Sequence, residues 1–176
     1  CVRLSEFLRK TGRLEPAKET LEQAWHLQEA VMSRSPGTSY WSWRLGRGWG
    51  HWAVRENYRR MGEMLAESGD YGQAARGFVG ATGADPNDVY CWHMRALTQL
   101  GSGDVEAWRQ TCRDAMDRFG GATADYTASR IAWSCALAPD SLEDWSGPMG
   151  LADTLAANGK GRSEERRVGK ECTIQC

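Results

Sequence analysis

The sequence predicts an all-α protein, a short α-solenoid built from antiparallel helix pairs. Apolar residues recur at helical spacing along most of the chain, and glycine-containing turns separate these helical stretches. Gly69 and Gly103, each followed by an aspartate, lie 34 residues apart, and the same interval separates Tyr58 from Trp92. A period of this length is typical of stacked helix–turn–helix repeats.

The first helix pair is predicted over residues 1–32. Apolar side chains indicate a helix over residues 2–11, and Gly12 can end it in a left-handed cap. The second helix has Pro16 in its first turn, where proline is tolerated. Its apolar stripe consists of Ala17, Leu21, Ala24, Leu27 and Val31.

A connection rich in tryptophan and glycine is predicted over residues 33–50. Glycine weakens helices, and its density over residues 46–50 argues against a stable helix there. The next helix is therefore expected to begin at Trp52.

Two repeats are predicted over residues 51–121. The first repeat begins with a helix over residues 52–68. Its second helix stops at Pro86, and Asn87 or Asp88 can cap the helix that follows.

The second repeat ends with a predicted helix over residues 105–118. A degenerate helix pair is expected over residues 122–160, with one helix over 125–136 and a weaker one over 148–158, where Leu151 and Leu155 lie four residues apart.

The last residues, 161–176, are treated separately. The stretch from Arg162 to Cys172 lacks apolar periodicity and resembles the translation of a short-read sequencing adapter. We therefore predict an artefactual or disordered tail and exclude it from reasoning about fold and function.

The composition excludes several classes of function. Hydrophobic residues make up 41% and charged residues 26%, with a net charge of -1, which is ordinary for a soluble globular protein. A nucleic-acid partner is not expected, because such domains are usually clearly basic. The chain contains no apolar run of about 18 residues, so no membrane span is expected. No signal peptide is recognised, and the absent initiator methionine predicts an internal fragment of a longer protein.

The cysteines predict neither a metal site nor a disulfide framework. None of Cys1, Cys91, Cys112 and Cys135 stands at zinc-ligand spacing with a histidine, so no metal or cofactor is expected. Single cysteines on apolar helix faces are usually buried small hydrophobic residues. This pattern favours a reducing, cytoplasmic location.

Residues 55–88 resemble a tetratricopeptide repeat. Its signature positions are occupied by Tyr58, Gly62, Leu65, Gly69, Tyr71, Ala74, Phe78, Ala81 and Pro86. The match continues over residues 89–119, where Arg95 replaces the usual leucine and Trp108 the usual small residue, and it is partial over residues 1–31. The resemblance implies a scaffold that binds a protein or peptide partner.

A second resemblance covers residues 91–140. This region is similar to the repeat-rich C-terminal regions of large bacterial serine/threonine protein kinases, through Trp92–Leu97, Gly103–Val105, Cys112, Arg118–Gly120 and Ile131–Pro139. It implies a fragment of a larger bacterial signalling protein. The chain itself contains no His-Arg-Asp loop and no Asp-Phe-Gly motif, so we expect no enzyme activity in it.

The repeat register also implies a binding groove. In the tetratricopeptide family the groove is lined by the first helix of each pair, and here those positions are occupied by Glu56, Arg59, Glu63, Glu67, Tyr90 and His93. Arg59 is the only cation among them, and Glu63 stands where the family's carboxylate clamp needs an asparagine. A basic or mixed-charge peptide is therefore expected rather than an acidic tail.

Two alternatives remain open at this point. Tryptophans and arginines within residues 40–52 can stack on single-stranded bases or on a peptide, or they can fill an irregular gap between helix pairs. The chain can also be a regulatory domain that packs only on neighbours outside this sequence. With fewer than three clean repeats, self-association through exposed ends is expected.

Overall fold

The computed structural model describes residues 2–34, 49–138 and 142–159. Every regular element in these three ranges is an α-helix, which confirms the predicted all-α class. The helices are α1 (Val2–Lys10), α2 (Leu14–Arg34), α3 (Trp49–Glu67), α4 (Tyr71–Ala84), α5 (Val89–Gly101), α6 (Val105–Phe119), α7 (Asp125–Ala136) and α8 (residues 146–159). The chain divides into two compact units, Cys1–Asp104 and Val105–Cys176.

Most of the predicted connection and the predicted tail lie outside the described residues. The start of the following helix differs from the prediction, because α3 begins at Trp49 rather than at Trp52. Gly50 is thus helical, contrary to the argument from glycine density. It lies in the first turn of α3, where backbone N–H groups have no partner within the helix in any case and a glycine weakens the helix less.

Three turns in the structure have the same hydrogen-bond pattern, and each is centred on a glycine. Gly69 has a φ of +83° and Gly103 a φ of +81°, and Gly12, with a φ of +77°, occupies the same position after α1. In each turn the glycine N–H bonds to the carbonyl three residues earlier, and the next N–H bonds to the carbonyl five residues before it. This is the Schellman arrangement, which favours glycine because its central residue is left-handed. The 34-residue period of the sequence is therefore also a period in backbone geometry.

Aspartates cap the helices that carry the predicted repeat. The carboxylate of Asp70 accepts a hydrogen bond of 3.1 Å from the backbone N–H of Gln73 at the start of α4. Asp88 accepts one of 3.1 Å from Cys91 at the start of α5. Each bond pairs a backbone donor that the helix itself leaves unpaired, so both helix starts are fixed by sequence.

Helices α3 and α4 approach each other unusually closely, through glycines. A Cβ placed on Gly77 would lie 2.9 Å from the Gly62 backbone, and one on Gly62 would lie 2.8 Å from the Phe78 ring. On Gly80 it would lie 2.7 Å from the ring of Tyr58. These residues must stay small because interiors are close-packed. Gly62, Phe78 and Tyr58 are signature positions of the predicted repeat, and here they contact one another across the helix pair.

The core of the first unit is formed across four helices. Its buried members are Tyr58, Phe78, Ala81 and Cys91, with Trp25, Val54, Tyr90 and Met94 packed against them. The Trp25 ring of α2 meets the Tyr58 ring edge-on at 5.7 Å between centroids. Such edge-to-face pairs add to the stabilisation from burial alone. Helices α1 and α2 pack as a hairpin, as do α3 and α4, and α5 packs on α4.

The second unit packs α6 against α7. Trp108 is completely buried, and its Nε1–H donates to the Ser134 carbonyl at 3.2 Å. Asn158 of α8 donates to the Asp125 carboxylate at 2.6 Å, which ties α8 to the start of α7. The predicted helix over residues 125–136 is confirmed residue for residue. Since α5 belongs to the first unit and α6 to the second, their pairing as a repeat, and with it a continuous solenoid, stays a prediction.

Candidate functional site

The centre of the candidate site is Arg59, which lies between two carboxylates on its own helix. Its Nε donates to Glu56 Oε2 at 2.9 Å and its Nη2 to Glu56 Oε1 at 2.6 Å, a bidentate arrangement. Its Nη1 donates to Oε1 of Glu63. The Arg60 Nε also donates to Glu56, at 2.8 Å. Spacings of three and four residues bring these side chains together on one side of a helix.

Tyr90 connects this cluster to the next helix. Its hydroxyl donates to Glu63 Oε1 at 2.8 Å, so one carboxylate oxygen joins α3 to α5. The guanidinium of Arg59 lies 6.0 Å from the centre of the Tyr90 ring, within the range of a cation–π contact. The structure therefore brings four of the predicted site residues into one hydrogen-bonded cluster.

The protonation states of the cluster follow from these contacts. The hydrogen bond from Arg59 lowers the pKa of Glu56 to about 2. The same bond raises the pKa of Arg59 above its already high value. Burial, and then the hydrogen bond to Glu63, raise the pKa of Tyr90. At neutral pH Glu56 is consequently a charged carboxylate, Arg59 a charged guanidinium and Tyr90 a neutral phenol.

Glu67 lies at the end of the same face but pairs with a different helix. Its Oε2 forms an ion pair with Arg9 of α1. Its side chain is 54% exposed, whereas that of Glu63 is 28% exposed. Because Glu63 and Glu67 are four residues apart, both carboxylates lie on one side of α3. We call the surface formed by Glu56, Arg59, Glu63, Glu67 and Tyr90 the α3 face.

His93 is not part of this face, contrary to the prediction. Its side chain is only 1% exposed. The buried residues of α5 extend over a large part of the helix circumference, so His93, one turn after Tyr90, lies in the interior. The buried residues of α5 are Cys91, Trp92, His93, Ala96, Thr98 and Gln99.

Arg55 of α3, which the sequence did not single out, links α3 to the start of α5. Arg55 Nη1 donates to Asp88 at 2.8 Å, and it lies 3.7 Å from Asp85. Asp88 thus caps α5 with one oxygen and holds α3 with the other. Arg55 and Asp88 are 33 residues apart, close to the 34-residue spacing of the glycine turns, and this spacing is a signal that could have indicated the contact.

The aromatic segment at residues 40–52 is described only at its end. Trp49 begins α3, and the Trp52 side chain is 53% exposed. The remaining members of the segment, Trp41, Trp43, Arg44 and Arg47, lie outside the described residues.

Within the described ranges, no group of three or more histidine, cysteine, aspartate or glutamate side chains is arranged to hold a metal ion. In the same ranges, none of the helices combines the length and apolar character needed to cross a membrane. Comparisons with protein-family models, curated proteins and solved structures return no match.

Proposed function

We propose that this chain is a non-catalytic interaction scaffold whose α3 face binds a basic or mixed-charge segment of a protein partner. We also infer, from the resemblance of residues 91–140, that it belongs to a larger cytoplasmic, bacterial signalling protein of the serine/threonine-kinase-associated type.

One observation carries the proposal for the α3 face: every nitrogen of the Arg59 guanidinium already donates to a carboxylate, whereas one oxygen of the central Glu63 carboxylate accepts nothing from the described residues. The Nε, Nη1 and Nη2 atoms of Arg59 already donate to Glu56 and Glu63. The Oε2 atom of Glu63 accepts no hydrogen bond from any described residue. An incoming carboxylate would meet a guanidinium already flanked by the Glu56 and Glu63 carboxylates, which repel it. An incoming ammonium, guanidinium or amide N–H instead finds an acceptor in Glu63 Oε2.

The same contacts hold the face in one conformation before binding. Glu63 is fixed by Arg59 and Tyr90, and Glu67 by Arg9. Side chains that are already ordered lose less entropy when a partner docks. The Glu63 and Glu67 carboxylates lie one helical turn apart, which matches two cationic side chains of an extended peptide.

The test is fluorescence anisotropy with two labelled ten-residue peptides, one of alternating lysine and serine and one of alternating glutamate and serine. The full chain is expected to bind the basic peptide, with an affinity that falls as salt rises. The double variant Glu63→Gln/Glu67→Gln should weaken this binding by about tenfold, the equivalent of roughly 1.4 kcal/mol.

The matched control is Glu143→Gln, which neutralises an exposed glutamate of the second unit and should leave binding unchanged. Equal or tighter binding of the acidic peptide would overturn the proposal. A single-stranded oligonucleotide that binds more tightly than either peptide would favour the aromatic segment as the binding element instead.

A second candidate function is docking against another copy of the chain, and it is favoured by a different observation. Leu4 and Phe7 on α1 are 53% and 62% exposed. They lie three residues apart and so form one apolar strip. Sedimentation velocity over a concentration series should show dimers that the double variant Leu4→Ser/Phe7→Ser abolishes. A monomer at all concentrations would exclude this candidate.

A further inference from the structure

Helix α7 carries two large aromatic side chains on its exposed side. Tyr126 is 52% exposed and Trp133 is 53% exposed. Arg130 lies between them in the sequence, and at about 100° per residue the three side chains fall within roughly 60° of the helix circumference. We call the surface formed by Tyr126, Arg130 and Trp133 the α7 face.

The opposite side of α7 is the one that packs in the core. The buried residues of the helix are Ala128, Ile131, Ser134 and Cys135. A surface helix normally places charged and polar residues on the side away from its core. In α7 that side carries two aromatic rings, and grouped exposed apolar surface of this kind is typical of an interaction site.

Arg130 gives the α7 face a positive charge that no described carboxylate pairs with. Its guanidinium lies 5.5 Å from the centre of the Tyr126 ring, within the range of a cation–π contact. Among the described residues, this ring is the one partner of the Arg130 side chain. Asp125, the only carboxylate of α7, accepts a hydrogen bond from Asn158 instead. The guanidinium N–H groups therefore remain available to an acceptor from outside.

These features decide the chemistry of the partner. A purely apolar partner would cover the Arg130 guanidinium without giving it an acceptor, and burial of an unpaired charge costs free energy. A basic partner would be repelled. Nucleic acid carries a phosphate on every nucleotide and is held by several cations, whereas the α7 face contains one. A carboxylate flanked by apolar side chains supplies both an acceptor for Arg130 and contact area for the two rings.

We propose that the α7 face binds an extended segment of a partner protein in which a carboxylate stands between two apolar residues. Tyr126 and Trp133 are seven residues apart, which is a rise of about 10.5 Å along a helix. In a polyproline II segment, residues three apart lie on the same side at a distance of about 9 Å. Two apolar residues at that spacing match the two rings, and a carboxylate between them lies near Arg130. This surface goes beyond the function proposed for the α3 face and does not depend on it, since the two faces select opposite charges.

The test is fluorescence anisotropy of the full chain with a labelled ten-residue peptide that contains Leu-Pro-Glu-Leu between serines and glycines. A second peptide has glutamine in place of the glutamate. The glutamate peptide should bind about fivefold more tightly than the glutamine peptide, because one charge-assisted hydrogen bond is added. This difference should shrink as salt rises.

Substitutions separate the parts of the α7 face. Trp133→Ser should weaken both peptides by about tenfold or more, because aromatic residues dominate binding hot spots. Arg130→Gln should weaken only the glutamate peptide, so that the two peptides then bind alike. The matched control Arg118→Gln removes the same charge from the last turn of α6 and should change neither affinity. Glu63→Gln/Glu67→Gln should also change neither, which keeps this result apart from the test of the α3 face.

Circular dichroism checks that each variant keeps its helices, and the Arg130→Gln comparison stands by itself if Trp133→Ser does not fold. Equal binding of the two peptides by the unsubstituted chain would overturn the proposal, as would an unchanged preference in Arg130→Gln. Two further results would overturn it by assigning the face to another occupant. One is a dimer in sedimentation velocity that Trp133→Ser abolishes, and the other is a single-stranded oligonucleotide that binds more tightly than the glutamate peptide.

Discussion

The hydroxyl of Tyr90 in α5 donates a 2.8 Å hydrogen bond to the carboxylate of Glu63 in α3, across 27 residues of sequence. Helix α4 lies between the two in the chain, so this bond closes a three-helix unit. It is also the contact that fixes the central carboxylate of the α3 face.

Replacing Tyr90 by phenylalanine removes this bond and keeps the ring. We expect Tyr90→Phe to lower the free energy of unfolding by about 1 kcal/mol, measured by urea denaturation. Tyr71→Phe is the matched control, because the Tyr71 ring packs beside Gly101 and its hydroxyl makes no hydrogen bond to a described residue. Equal effects of the two substitutions would show that the Tyr90 bond contributes nothing.

Gly77 and Gly83 of α4 provide a test of the close α3–α4 approach. Gly77→Ala places a methyl group 2.9 Å from the Gly62 backbone, which cannot yield, and should destabilise the chain by about 1–3 kcal/mol. Gly83→Ala meets nothing within 4 Å and should stabilise it by up to about 1 kcal/mol through helix propensity. The measurement is the melting temperature of the two variants relative to the unsubstituted chain. A shift of the same sign in both variants would contradict the close packing at Gly77.

The need for glycine at position 69 comes from its left-handed backbone conformation and not from crowding, because nothing lies within 4 Å of a Cβ built there. Gly69→Ala should therefore lower the free energy of unfolding by roughly 1–2 kcal/mol, the cost of a left-handed residue with a Cβ. Gly69→Asn should cost less, since asparagine tolerates this region better. Denaturant titration of the two variants gives the order, and a reversed order would refute a conformational cause.

Acid should weaken the Arg59 cluster in a defined pH window. The pKa of Glu56 in the folded chain is about 2, below its ordinary value of 4.5. The ion pairs of the Glu56 carboxylate therefore contribute fully to the free energy of unfolding above pH 4.5, and this contribution is lost as the pH falls towards 2. Glu56→Gln removes that part of the pH dependence. The measurement is the free energy of unfolding of both proteins between pH 2 and pH 6. Parallel curves would mean that the Glu56 carboxylate is not held by Arg59 in solution.

The sequence predicted those features that depend on a single residue type in a local setting. Gly69 and Gly103 indicated the turns because few other residues adopt a positive φ. Asn87 and Asp88 were both candidate caps because either side-chain oxygen can reach the first N–H groups of a helix, and Asp88 is the one that caps α5. Both the turn conformation and the helix cap are determined by residues that are neighbours in sequence, so they can be predicted without knowledge of tertiary contacts.

The sequence did not predict features that depend on how each helix is rotated about its axis. His93 was placed in the groove by the register of the resembled repeat, yet its side chain is buried. Arg55 was passed over because its partner Asp88 belongs to another helix. Glu63 was placed in the groove, but its hydrogen bonds with Arg59 and Tyr90 were not predicted. Side-chain partners of this kind are decided by tertiary packing and not by periodicity.

The matching turns at Gly69 and Gly103 give the intervening segment the same backbone conformation at its entry and at its exit. Residues 70–103 are in this sense a cassette. A duplicate inserted after Gly103 would follow a glycine turn of the same conformation as the turn at Gly69, and it would itself end in such a turn before Asp104. Unequal recombination at these two glycines would lengthen or shorten the chain by one whole unit without a new junction. The two glycine turns therefore mark positions at which a gene of this kind can gain or lose one whole unit.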